Sequence, residues 1–208
     1  MDIGIIQVFQ QGGPVMFAIL GCSIVALAVF LERLFYLRGG RQLPNDIISQ
    51  LHHLSAQSIP TLSDHLRTNP KPFHKLLLKV FEFKHLSPDE IQHRLSAQLH
   101  QTQQQFEKYS DILATVTSVS PLLGLLGTVT GMMKIFKAVR YQGLAGSPAL
   151  MASGIGEALI NTVAGLIVAI LSLVAYKIVL ARAAYLTERI EKYLDTTYER
   201  LNPTSSHL

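Results

Sequence analysis

The chain has no tryptophan, one cysteine and few charged residues, and the last two shortages each exclude a class of protein. The single cysteine, Cys22, rules out a disulfide framework within one chain, and its apolar surroundings predict an unreactive thiol. Charged residues make up 15% of the 208 residues while 49% are hydrophobic, a composition that is poor in charge for a soluble domain. The net charge of +4 would suit nucleic acid, but the basic residues flank apolar segments, so we predict no nucleic-acid partner.

Charge is absent altogether from three long stretches. The segments Ile3–Leu31, Ile112–Met133 and Ala158–Tyr176 contain no Asp, Glu, Lys or Arg over 29, 22 and 19 positions. A helix that crosses a bilayer needs about 20 apolar residues, so each stretch is long enough. The triplet Gly12-Gly13-Pro14 places the start of the first helix near Pro14. We therefore predict an all-α membrane protein with transmembrane helices over 14–37, 111–140 and 150–178.

Lysine and arginine are missing from the N-terminal tail, which predicts the orientation and argues against a cleaved signal peptide. Ten of the 18 basic residues lie from Arg33 to Lys108, between the first two charge-free stretches, and five from Lys177 to Arg200 follow the third. The positive-inside rule then makes the insert 38–110 and the tail 179–208 cytoplasmic, and 1–13 and 141–149 periplasmic. Lys134, Lys137 and Arg140 run against this rule, and we expect them to reach the outer headgroups.

The cytoplasmic insert shows no spacing typical of a catalytic or metal site. Seven of the eight histidines fall there, but no cysteine accompanies them and no pair has the HExxH arrangement. There is no glycine-rich phosphate loop and no nucleophile elbow. We therefore predict that the protein is not an enzyme and binds no metal or cofactor. The prolines divide the insert into short helices at roughly 44–56, 60–68 and 72–85.

A strong helix start follows these short helices. Ser87 is a good N-cap, Pro88 suits the first turn, and Asp89 complements the positive end of the helix dipole. No glycine or further proline appears before Pro121, which predicts one helix of about 50 residues from Pro88 through the second span to about Arg140. The third span likewise continues into the cytoplasmic C-terminal segment.

Two of the predicted spans carry a face of small and polar residues. The face of the second span comprises Ser120, Gly124, Thr128 and Gly131, with Gly127 beside it, and that of the third comprises Ala158, Thr162, Gly165, Ala169 and Ser172. Such faces either pack closely against another helix or line a polar route. One chain cannot enclose a pore with two faces, so we favour several copies in a ring over a monomeric hairpin packed through small residues. Glu157 and Asn161, one turn apart, are assigned to the pore mouth or to a contact between subunits, and they are close enough to hydrogen-bond.

Two motifs occupy these faces. The sequences PLLGLLGTVTGM at 121–132 and GIGEALINTVAGL at 154–166 resemble the paired signature of the MotA/TolQ/ExbB proton-channel family, and the three-span layout is most similar to ExbB and TolQ. The resemblance implies a pentamer in the inner membrane of Gram-negative bacteria, around the single-span helices of an ExbD-like or TolR-like partner with a membrane carboxylate. It also implies coupling to a TonB-like or TolA-like transducer. Thr128 and Thr162 match the family's pore-facing threonines and Glu157 its membrane-edge glutamate, whereas Gly156 and Asn161 stand where the family has alanine-like residues.

The spans contain no ionisable residue deep enough to carry a proton across, so we expect the carrier on a partner chain. Thr128 and Thr162 would offer hydroxyls to that partner's carboxylate, with a proton as the translocated ion. The alternative for both is a hydroxyl bond to a carbonyl of their own helix. For the whole chain the alternatives are a TolQ-like role in the Tol-Pal envelope system, a sodium-driven stator, and a membrane scaffold without ion flow.

Overall fold

The computed structural model describes residues 12–38, 43, 47, 51, 59–68, 71–83, 86, 88–142 and 148–201. Within them lie six helices: α1 Gly13–Tyr36, α2 Ile59–Thr68, α3 Pro72–Phe83, α4 Pro88–Glu107, α5 Ser110–Gln142 and α6 Pro148–Leu201. Three stretches are long and apolar enough to cross a membrane, namely Gly13–Tyr36, Ser110–Lys137 and Met151–Leu201. The prediction of an all-α chain with three membrane helices is confirmed. The N-terminal segment 1–13, the loop 141–149 and the predicted helix 44–56 lie mostly outside the described residues.

The single long helix predicted from Pro88 to about Arg140 is wrong, because the chain forms two helices there. The first ends at Glu107 and the second begins at Ser110. Between them Tyr109 has a φ of +68°, the left-handed conformation that a right-handed helix excludes. The continuation of the third span is confirmed, since α6 runs uninterrupted over 54 residues.

The chain divides into two compact units. The first, here called the span unit, contains the chain up to Glu32 together with Tyr109–Ile178. The second, here called the polar unit, contains Arg33–Lys108 and Val179–Leu208. Helix α5 belongs entirely to the span unit, whereas α1 and α6 contribute residues to both units.

Large apolar side chains fill the core of the polar unit. In α3 the apolar members of the buried face recur every three or four positions, as in an amphipathic helix, and they are Phe73, Leu76, Leu77, Val80 and Phe81. Phe106 of α4 is fully buried and meets the Tyr36 ring edge-on, with 6.4 Å between the ring centroids. Lys79 Nζ donates to Gln98 Oε1 at 2.5 Å and links α3 to α4. The polar unit is therefore packed like an ordinary water-soluble helical domain.

The span unit presents many of its large apolar side chains outwards. The exposed ones include Leu122, Leu125, Val129 and Phe136 on α5, and Leu159, Val163, Leu166 and Ile170 on α6. Contact with water would be unfavourable by roughly 25 cal/mol per Å² of this surface, whereas hydrocarbon solvates it well. This surface suits a bilayer or contact with further membrane helices.

Candidate functional site

The small faces of α5 and α6 lie against each other within one chain. A Cβ atom built on Gly124 would lie 3.0 Å from the Asn161 carbonyl oxygen and 3.2 Å from Thr162 Cα. A Cβ atom built on Gly165 would lie 2.5 Å from the Ser120 carbonyl oxygen. These distances are shorter than ordinary carbon contacts, so the two backbones touch and larger residues would force them apart.

The same close contact continues towards the end of the pair where α5 ends and α6 begins. A Cβ atom on Gly131 would lie 2.8 Å from the Gly154 carbonyl oxygen and 3.1 Å from Ala158 Cβ. Ala169 and Ser172 are buried farther along α6. Ser120 Oγ is also buried, and no described residue hydrogen-bonds to it. Small residues of both faces therefore allow α5 and α6 to approach closely within one subunit. Close helix packing was one of the two roles that the sequence predicted for these faces, and the lining of a polar route was the other.

The hydroxyls of Thr128 and Thr162 both donate to backbone carbonyls. Thr128 Oγ1 donates to the Leu125 carbonyl at 2.6 Å. Thr162 Oγ1 lies 3.3 Å from the Ala158 carbonyl on its own helix and 3.5 Å from the Gly124 carbonyl on α5. Both side chains are partly exposed. Each oxygen therefore keeps acceptor capacity on its open side while its proton is held by the backbone.

Glu157 forms an ion pair with Lys134. Lys134 Nζ lies 2.6 Å from Oε1 and 2.7 Å from Oε2, so it donates to both carboxylate oxygens. The Glu157 side chain is 11% exposed and that of Lys134 is 55% exposed. The Glu157 carboxylate also lies against the backbone of Gly13, at the positive end of the α1 dipole. Lys134, which runs against the positive-inside rule, thus has a counter-charge 23 residues along the chain.

The position of Asn161 one turn after Glu157 suggested a hydrogen bond between their side chains, but Asn161 bonds elsewhere in the structure. Its side chain is fully buried, and Nδ2 donates to the Gly12 carbonyl at 2.9 Å. No donor from the described residues reaches its Oδ1. The amide fits only because Gly127 on α5 has no side chain, since a Cβ there would overlap the Asn161 side chain. A contact spanning 149 residues has no local signal, although Gly12-Gly13 marks a place where a side chain can approach the backbone closely.

The described site offers hydroxyls and a neutralised ion pair but no deep proton carrier. The stretches Ile112–Met133 and Ala158–Tyr176 contain no Asp, Glu, Lys, Arg or His, and in α1 none precedes Glu32. The ion pair of Lys134 and Glu157 lies at the ends of the charge-free stretches of α5 and α6. In the described part of the chain, no group of three His, Cys, Asp or Glu side chains is placed to hold a metal ion.

The profile of the MotA/TolQ/ExbB proton channel family matches residues 68–192. This range includes both small faces, both threonines and the ion pair, and it covers more than half of the chain. The chain belongs to the MotA/TolQ/ExbB proton channel family. As a member of this family with three apolar spans, it is a multi-pass membrane protein.

Curated relatives in the family carry both ExbB and TolQ names. The ExbB-like 1 protein of Synechocystis sp. is 33% identical over 182 residues, which cover 83% of this chain and 69% of the relative. The biopolymer transport protein exbB1 of Vibrio cholerae is 29% identical over 172 residues, or 79% of this chain and 74% of the relative. The Tol-Pal system protein TolQ of Pseudomonas aeruginosa is 40% identical over 93 residues, or 45% of this chain and 40% of the relative. The chain is therefore similar to relatives with ExbB names and to relatives with TolQ names within the one family.

Proposed function

We propose that the chain is an ExbB-like stator subunit of an inner-membrane proton channel that couples the proton-motive force to TonB-dependent transport across the outer membrane. The observation that carries the proposal is the chemistry of the spans. They hold partly exposed threonine hydroxyls but no Asp, Glu or His between Ile112 and Met133 or between Ala158 and Tyr176. A proton route needs a group that binds and releases protons, so a second chain has to bring it.

In this proposal five copies form a ring around the single-span helices of an ExbD-like partner whose membrane carboxylate carries the proton. A TonB-like transducer receives the work. The exposed apolar surface of the span unit would contact lipid and neighbouring copies. The N-terminus is periplasmic and the C-terminus cytoplasmic, in the inner membrane of a Gram-negative bacterium. The ExbB names of relatives that align over most of this chain support this assignment over the others.

The two threonines would distinguish the protonated from the ionised carboxyl of the partner. A protonated carboxyl can donate to a threonine oxygen that already donates elsewhere, whereas an ionised carboxylate needs the hydroxyl to turn and donate to it. The Thr162 bonds of 3.3 and 3.5 Å are longer than the 2.6 Å bond of Thr128. Thr162 should therefore turn more readily towards an anion, and Thr128 should serve mainly as an acceptor. Each charge moved through 100 mV is worth about 2.3 kcal/mol, which is available to displace the partner helix.

The test is proton flux through the complex of this chain with its single-span partner, reconstituted in vesicles. We expect Thr128→Val together with Thr162→Val to lower flux by about 100-fold, the range for loss of groups that stabilise a developing charge. Thr130→Val is the matched control, because Thr130 Oγ1 also donates to a carbonyl of its own helix, that of Gly127 at 3.0 Å. Full flux in the double variant, with the control also intact, would refute the assignment of the two threonines to the ion pathway.

A TolQ-like role is the second candidate, because the similarity to TolQ of Pseudomonas aeruginosa is 40% over 93 residues. The mechanism in the membrane would be the same and the client would differ. Co-purification with ExbD-like and TolR-like single-span proteins, followed by mass determination, distinguishes the two and gives the subunit number.

Replacing sodium in the flux assay tests a sodium-driven stator. A function that persists after a protonophore collapses the gradient would identify a scaffold.

A further inference from the structure

The buried amide of Asn161 joins all three membrane helices of one chain. Asn161 lies on α6, its Nδ2 donates to the Gly12 carbonyl just before α1, and its side chain occupies the space left by Gly127 on α5. These residues all belong to the span unit. The Asn161 side chain thus hydrogen-bonds to the backbone just before α1. It also packs against the backbone of α5, where Gly127 has no Cβ atom.

An amide is an unfavourable choice for this place unless its hydrogen bond matters. The side chain is fully buried, and its Oδ1 has no donor among the described residues. An apolar side chain would bring no unsatisfied polar atom of its own, so packing alone does not favour asparagine. The orientation of the amide is defined as well, because the Gly12 carbonyl can only accept and therefore faces the nitrogen.

The neighbouring residue Gly13 is held from a second side. Gly13 has a φ of +64°, and the Glu157 carboxylate occupies the place where a side chain would project. Glu157 lies one turn before Asn161 on α6 and is paired with Lys134 of α5. The start of α1 is therefore fixed by an amide on its Gly12 carbonyl and by the ion pair beside Gly13.

We propose that Asn161 is a positioning residue that attaches the start of α1 to α5 and α6 and thereby keeps Gly13 beside the Lys134–Glu157 pair. With this attachment, the ends of the three helices move together when force acts on α5 and α6. The consequence for ion flow rests on the proposed function. The attachment itself can be measured in the absence of flux and of any partner.

Hydrogen exchange on the full-length chain in lipid nanodiscs tests the attachment directly. Asn161→Leu keeps the branched outline of the side chain, at a larger volume, and removes the donor. Peptides covering the second turn of α1 should then exchange about tenfold faster, as expected for loss of one hydrogen bond. Peptides from α4 should be unchanged. Leu159→Ala, at an exposed position on the same helix, is the control and should leave α1 unchanged. If the start of α1 exchanges in Asn161→Leu at the same rate as in the wild type, the proposal is overturned.

A paired substitution keeps the test valid if Asn161→Leu fails to fold. Gly127→Ala alone should reduce the amount of folded protein, because its methyl group overlaps the Asn161 side chain. Adding Asn161→Gly removes the overlap, because the atom of Asn161 nearest to a Gly127 Cβ is its own Cβ. This second change should restore folded protein, while exchange at the start of α1 stays fast because the donor is missing. A merely structural role predicts that stability and slow exchange return together, and that result would overturn the proposal.

Flux in the reconstituted complex then links the attachment to function. The double variant Gly127→Ala with Asn161→Gly should fold but carry less proton flux than the wild type, by about tenfold. Fast exchange with undiminished flux would overturn the functional part of the proposal. The flux of the threonine variants tests the proposed ion pathway, and the flux of this double variant tests the attachment. The two proposals can therefore fail independently.

Discussion

The span unit and the polar unit use opposite packing rules. In the polar unit large residues such as Phe73, Phe106 and Leu194 are fully buried. In the span unit many of the large side chains are exposed, and glycines bring α5 and α6 into contact. The difference follows from the solvent, because water drives apolar side chains inwards whereas lipid solvates them as well as a protein core does. Shape and hydrogen bonding therefore determine the packing of the span unit, and apolar area determines that of the polar unit.

The largest expected effect separates the two units by phenylalanine truncation. Phe106→Ala removes a fully buried ring and should lower the free energy of unfolding by about 3–5 kcal/mol. Phe136→Ala removes a ring that is 67% exposed on α5 and should change stability by less than about 0.5 kcal/mol. Thermal unfolding of both variants in nanodiscs measures the difference. Equal losses would contradict the packing contrast, or would reveal that Phe136 lies in a contact between subunits.

Glycine substitution should give the reverse pattern within the span unit. Gly165→Ala places a methyl group 2.5 Å from the Ser120 carbonyl oxygen and should cost about 1–3 kcal/mol. Gly156→Ala on the same helix meets no atom within 4 Å and should be neutral or slightly stabilising, by up to about 1 kcal/mol, since alanine favours helix. The melting temperatures of the two variants provide the measurement. A tolerated alanine at 165 would show that α5 and α6 separate easily.

The Lys134–Glu157 pair should show how half-buried charges behave in the span unit. Lys134→Gln leaves a Glu157 carboxylate that is only 11% exposed without its cation. Because Lys134 is 55% exposed and solvent screens it, we expect a loss of about 1–2 kcal/mol, below that of a fully buried pair. Glu157→Gln with Lys134→Gln should recover most of this loss. A double variant as unstable as the single one would show that the pair itself, and not the unpaired carboxylate, is what matters.

The smallest effect concerns the break between α4 and α5, where the boundary between the two units also falls. Tyr109 holds a φ of +68°, which is unfavourable for a residue with a Cβ and open to glycine. Tyr109→Gly should therefore be more stable than Tyr109→Ala by about 1 kcal/mol, both having lost the same ring. Chemical denaturation of the two variants measures the difference. Higher stability of the alanine variant would mean that the two helices merge once the tyrosine is removed.

Local features of the sequence predicted much of the fold and part of the site. Charge-free stretches indicated the three spans, proline positions indicated α2 and α3, and the paired glycine-rich motifs indicated the family. The residue types of the α5 and α6 faces also predicted that these faces would pack closely or line a route. The break at Tyr109 was not predicted, because the sequence around it contains no glycine or proline that would disfavour a helix.

The sequence by itself determined which segments enter a membrane and which residues are small, since hydropathy and periodicity are properties of neighbouring residues. Only the tertiary structure decided that the two small faces meet within one chain, that Lys134 neutralises Glu157, and that Asn161 bonds to Gly12. These contacts join residues 23 to 149 positions apart, and they depend on how whole helices pack rather than on any local preference. In a bilayer, where apolar surface gives no direction, such close backbone contacts and single polar bonds select one arrangement of the helices.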